Sequence, residues 1–218
     1  MRPVQELDLT VALDYGQFYL SGSPTDDGVT DALVRLVEAA ANGQGIAGTE
    51  GNEFVVVISP HQNNFAMRLR VEVWPAEPPG DLDDWQEAFL TGLMIGPGGL
   101  DYESPTLERV TIPVPPGRYA VRITGRGFVN HGWPGSTTPG DEWRLQLWPA
   151  ADPIRPRRLR GWMSRDEALA AEGSGWTGDL GELRATDVIG GPDDPAPGPV
   201  RLGRPPAGGG RRARRRGA

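Results

Sequence analysis

Residues 65–74 alternate almost without interruption. Phe65, Met67, Leu69, Val71 and Val73 fall on one side of an extended backbone, and Arg68, Arg70 and Glu72 on the other. A two-residue period marks a strand with one buried face. The same period recurs over residues 8–20, where Leu9, Val11 and Leu13 alternate with Asp8, Thr10, Ala12 and Asp14. Gly16 is expected to kink that strand before Phe18 and Leu20 resume it. Tyr119, Val121 and Ile123 share a face over residues 118–125, and residues 142–148 form a last alternating strand stopped by Pro149. Residues 54–58 are apolar throughout, which suits a short buried strand. Further strands are expected from 85 or 86 to 95, at 100–102 and at 109–114.

Two segments carry helical signals. Leu33, Leu36, Val37 and Ala40 share one face over residues 31–41, with Thr30 as a suitable N-cap and Asn42-Gly43 as a stop. Ser164 and Glu167 have capping-box spacing and predict a short helix to about Ala171. Pro115-Pro116-Gly117 is a turn in which proline presets φ and glycine supplies a positive one. No regular alternation of strand and helix supports a parallel sheet. The expected fold is mainly β: an antiparallel β-sandwich with one early helix and a short C-terminal helix, followed by a disordered tail. The expected division is a β-sandwich domain over 1–150, an irregular segment with a short helix over 151–189, and a Pro/Gly/Arg-rich tail over 190–218. That tail has too little apolar surface to offset its ordering entropy.

Charge sharpens this division. The 218 residues carry a formal charge of −7, but residues 1–189 hold 27 acids against 15 arginines, and the rest holds two acids against seven arginines. The body is therefore −12 and the tail +5. Lysine is absent, which points to a GC-rich genome. Cysteine is absent too, which removes disulfides and thiolate metal sites. No apolar run approaches a membrane span, and the first residues are acidic where a signal peptide is apolar, so a cytoplasmic protein is expected.

Catalytic motifs are scarce. His61 and His131 are the two histidines, and neither sits in a metal-binding spacing. Ser136 lies between His131 and Asp141, but Pro134-Gly135-Ser136-Thr137-Thr138 is not a nucleophile elbow, so a hydrolase is only a third alternative. A Walker motif is impossible without lysine, and Gly125-Arg126-Gly127 lacks the third glycine of a dinucleotide fingerprint. The acidic pairs Asp26-Asp27, Asp83-Asp84 and Asp141-Glu142 read as solvated loop acids. No cofactor, no metal and no enzymatic activity are expected.

Aromatics point elsewhere. Trp133 stands in a loop between Phe128 and Gly140, where an indole can stack on a sugar or anchor a protein partner. The expected binding residues are Trp133, Arg126, Phe128, Trp143, Asp141 and Glu142. The arginines of residues 211–216 suit nucleic acid or an acidic surface.

Two segments carry a family resemblance. Val11-Ala12-Leu13-Asp14-Tyr15-Gly16-Gln17-Phe18-Tyr19-Leu20 resembles the first strand of ComJ-type competence proteins, in which an aromatic-x-Gln-Phe core recurs. Val114-Pro115-Pro116-Gly117-Arg118-Tyr119-Ala120-Val121 is similar to that family's Leu-Pro-x-Gly-x-Tyr strand entry. The resemblance covers residues 8–126. Gly16 stands where a histidine is expected, and the Trp133 loop and everything beyond Trp148 have no counterpart. The family's activity is inhibition of a partner nuclease, so the resemblance implies a small bacterial protein-binding β domain. It carries over no functional residue. The expected function is a non-enzymatic protein-binding β-sandwich that inhibits a basic partner such as a nuclease. The alternative is a carbohydrate- or small-ligand-binding module built on the Trp133 loop.

Overall fold

The computed structural model describes residues 1–22, 30–60, 66–106, 108–128 and 141–162. The chain divides into two units, Met1–Thr177 and Gly178–Ala218, and all described residues lie in the first. The expected C-terminal helix from Ser164 and the tail from residue 190 lie outside the described residues.

Eleven strands, one α-helix and a 3-10 turn at Leu82–Asp84 are described. The strands and the helix are β1 (Gln5–Ala12), β2 (Gln17–Ser21), α1 (Thr30–Asn42), β3 (Ile46–Gly48), β4 (Phe54–Ile58), β5 (Ala66–Val73), β6 (Glu87–Ile95), β7 (Leu100–Glu103), β8 (Arg109–Ile112), β9 (Gly117–Arg126), β10 (Glu142–Pro149) and β11 (Arg157–Arg160). One sheet has the order β1-β5-β10-β9-β6-β11, the other β3-β4-β2-β7-β8. The mainly β class with one early helix is as the alternation predicts. No helix among the described residues is long and apolar enough to cross a membrane.

Both sheets supply one core. Met67, Leu69, Val71, Val121, Ile123 and Leu145 from the first pack with Phe18, Leu20, Val55, Val57 and Tyr102 from the second. The other side of β4 and β2 is covered by α1, where Leu33, Leu36, Val37 and Ala40 meet Tyr19, Phe54 and Val56. The run at residues 54–58 is thus apolar on both faces because it is buried on both.

Three expectations need correction, and one strand was missed. Residues 8–20 are not one kinked strand. Tyr15 and Gly16 both have positive φ, 50° and 63°, and the Gln17 N–H donates to the Asp14 carbonyl, so the chain turns tightly and β2 enters the other sheet. The sheets are not wholly antiparallel, because β10 runs parallel to β5. Alternation is the same in either direction and cannot reveal it. The three-residue β3, paired with β4, was too short to signal itself. Residues 150–162 are not irregular throughout, since β11 pairs with β6.

Strand β11 is recruited by one buried acid. The Glu87 carboxylate accepts from the Arg158 guanidinium and from the Trp162 N–H. Asn52 secures the preceding segment: its side chain donates to the Ile154 carbonyl and accepts from the Ile154 N–H, at 3.1 and 3.0 Å.

Gly125 of β9, the register partner of Glu87, marks a close approach. Gly125 stands opposite Trp143 in the β9–β10 register. A Cβ there would fall 2.7 Å from the Phe128 ring and 2.9 Å from the indole. Gly125→Ala is therefore expected to destabilise the fold by about 1–3 kcal/mol, the usual cost of overpacking. Urea unfolding measures this, and an unchanged midpoint would mean that the aromatic stack yields freely.

Candidate functional site

The polar face of the six-stranded sheet gathers what the alternating strands left out of the core. In register across it stand Thr10, Arg68, Glu142 and Arg126 in one row. Asp8, Arg70, Arg144 and Thr124 form the next, and Glu6, Glu72, Gln146 and Arg122 the one after. The first two rows place arginines and carboxylates on neighbouring strands, close enough to pair, and in the third Gln146 stands between Glu72 and Arg122.

Part of this face is covered. The segment 74–86, between β5 and β6, is bound to β9 and β10 as a strap. Arg122 donates to the carbonyls of Pro78 and Pro79 at 2.9 and 3.3 Å. Arg144 makes a two-pronged bond to Asp81 at 2.6 and 2.8 Å. Two guanidinium groups stack on the Trp85 ring, Arg126 at 4.6 Å and Arg144 at 4.4 Å from its centre. Glu72 accepts from both Trp74 Nε1 and Gln146 Nε2 at 2.9 Å. Charge-assisted bonds and cation–π contacts therefore do the packing here, at about 0.5–2 kcal/mol for each cation–π contact. The Arg144 guanidinium holds the Asp81 carboxyl below its ordinary value, against the opposing effect of burial.

Beside the strap the face is open. Asp8, Leu9, Thr10, Arg68, Arg70 and Glu142 line a depression of about 320 Å³. Arg70 donates to both oxygens of Asp8, at 2.8 and 3.1 Å, and this bond keeps the Asp8 carboxyl low. Arg126 donates twice to one oxygen of Glu142, at 3.0 and 2.8 Å. Arg68, between Thr10 and Glu142 in the register, is exposed and makes no ion pair among the described residues.

The residues singled out from sequence divide in three. Arg126 and Glu142 meet as an ion pair at the rim of the depression. Trp143, Phe128 and Asp141 are buried. Trp143 is fully enclosed, packed edge-on against Phe18 and tilted against Phe128, whose other side meets Trp162. Gln86 bonds both the N–H and the carbonyl of Phe128. These residues support the end of the sheet from within. Trp133, His131 and Ser136 lie outside the described residues, as do His61 and the pair Asp26-Asp27. Among the described residues no group of three or more His, Cys, Asp or Glu is placed to hold a metal ion.

Sequence reasoning missed Asp8, Thr10, Arg68, Arg70, Trp85 and Arg144 as members of one surface. The polar side of residues 65–74 was the available signal. It could not say which strands lie beside it.

No protein-family model and no curated protein matches the chain. Two solved structures resemble it. One is ComJ, an inhibitor of the DNA-degrading activity of NucA, from Bacillus subtilis, with a TM-score of 0.42 and 14% identity over 68% of this chain and 98% of that one. The other is the product of crocagin biosynthetic gene J, with a TM-score of 0.42 and 19% identity over 66% of this chain and 97% of that one. The likeness is at the level of fold and over part of the chain.

The strap has a definite pH dependence. A carboxyl held below its ordinary value stabilises the folded chain above that value and loses this contribution as pH falls through the depressed one. Asp81→Asn is expected to cost about 1–2 kcal/mol at pH 7, because Arg144 is left buried with one partner fewer. Denaturant titrations should show this gap closing as pH drops below the ordinary aspartate value of about 4 and falls through the depressed one of Asp81. A gap that is constant with pH would remove the ion pair as its cause.

Proposed function

We propose that this chain is a non-enzymatic protein-binding module whose partner presents a basic surface, with inhibition of a nuclease as its outcome. The open face over β1, β5 and β10 is the observation that carries the reading. Its charges are already held in pairs, Arg70–Asp8 and Arg126–Glu142. A preorganised polar surface loses little side-chain freedom when a protein docks. The −12 charge of residues 1–189 sets the sign of the partner and steers a basic protein to the body.

The nuclease as partner class comes from the resemblance of residues 11–20 and 114–121 to a nuclease-inhibitor family. A cytoplasmic site of action belongs to the same reading. The arginines of residues 211–216 add a cationic segment suited to nucleic acid or to an acidic surface.

The test is a cleavage assay. The full chain is titrated into purified basic nucleases from the same genome while a labelled DNA duplex is cut. Suppression at about one chain per nuclease, weakening as salt rises past physiological strength, is the expected result. Full cleavage at every ratio, with no complex by analytical ultracentrifugation at low salt, sinks the proposal. A shift of tryptophan emission by a glycan panel that disappears in Trp133→Ala would favour the carbohydrate-binding alternative.

A further inference from the structure

Strand β1 is an outer strand of its sheet and is bonded along one side only, to β5. The other side is occupied at one end. The Ala12 N–H donates to Glu108 Oε2 at 2.6 Å, and the Ala12 carbonyl accepts from the Tyr102 hydroxyl at 2.6 Å. Both backbone groups of Ala12 therefore point away from β5. In an antiparallel ladder this orientation returns every second residue, so Glu6, Asp8 and Thr10 share it. Their N–H and carbonyl groups have no partner among the described residues.

The side chains along this edge sort by face. Leu7 and Leu9 turn toward the core, where they and Val110 of β8 are only partly buried. Glu6, Asp8 and Thr10 turn outward and are exposed, Asp8 with 73% of its side chain accessible. The edge thus offers three unpaired backbone stations, an apolar margin on one side and carboxylates on the other.

We propose that the free edge of β1, from Glu6 to Thr10, takes up an extended segment of a protein partner in which apolar and basic residues alternate. This deepens the reading of the chain as a binder of basic proteins and rests on it. The added strand would bond to the backbone of Glu6, Asp8 and Thr10. Its apolar residues would continue the margin of Leu7, Leu9 and Val110, and its arginines or lysines would lie over Glu6 and Asp8. A second copy of this chain fits less well, because antiparallel pairing of two β1 edges sets Glu6 and Asp8 against the same carboxylates.

The experiment uses the full chain and a fluorescein-labelled octapeptide of alternating Val and Arg, with alternating Val and Glu as control. Anisotropy should report binding of the first peptide and not the second. Amide exchange should show new protection at Glu6, Asp8 and Thr10. Thr10→Pro removes one outward N–H and leaves the β5 ladder intact, and it should weaken the Val/Arg peptide at least tenfold. Glu6→Arg, which touches no backbone bond, should weaken that peptide and admit the Val/Glu one.

Absence of Val/Arg binding overturns the proposal. So does binding that leaves the three amides unprotected, or that Thr10→Pro and Glu6→Arg leave unchanged. A dimer of the native chain that Thr10→Pro disperses would assign the edge to a second copy and likewise overturn it. Inhibition of a basic nuclease, measured in parallel, separates the two readings. If inhibition survives Thr10→Pro, the edge proposal falls and the basic-partner reading stands. If neither peptide nor nuclease binds the native chain, both fall.

Discussion

A guanidinium on a sheet face that is only 8% exposed has to be matched, and Arg144 is in that position. Asp81 neutralises it and Trp85 covers it. Both come from the strap at residues 74–86, so the requirement of one buried cation draws a whole segment across the sheet. Arg122, on the neighbouring strand, fixes the same strap through the Pro78 and Pro79 carbonyls. Unpaired, such a buried charge would cost several kcal/mol. The strap therefore stays down while its ion pair stays ionised.

The division of the polar face follows from this. Where the strap lies, arginines are used for packing. Where it ends, Arg68, Arg70 and Glu142 remain at the surface and line the open depression. The unpaired edge of β1 borders the same region. The proposed binding role draws on this neighbourhood of a charged patch and a free strand edge within a negative body.

Much of the fold was legible in local pattern. The alternation over residues 65–74 gave β5 and its buried face, the helical spacing of Leu33, Leu36, Val37 and Ala40 gave α1, and Pro115-Pro116-Gly117 marked the entry to β9. The site was less legible. Arg126 and Glu142 were singled out by nearness in sequence to a tryptophan loop, and they do meet. Trp143 was singled out with them and belongs to the core, because residue 143 falls on the inward side of β10 opposite Gly125. Strand β11 carried no signal at all. Arg157, Arg158 and Arg160 form a strand because Glu87, 71 residues before Arg158, provides a buried carboxylate for it.

The sequence by itself determined the class of the fold, the helix, most strands with their inward and outward residues, and the opposition of an acidic body to a basic end. These depend on period and composition, which are properties of neighbours along the chain. The tertiary structure alone decided that the chain changes sheets at Tyr15-Gly16, that β10 lies parallel to β5, that a strap closes over Arg144, and that β1 is left at an edge. Each of these depends on which strand lies beside which. Residues far apart in sequence settle that by competing for the same core and the same charges, and no local pattern records the outcome.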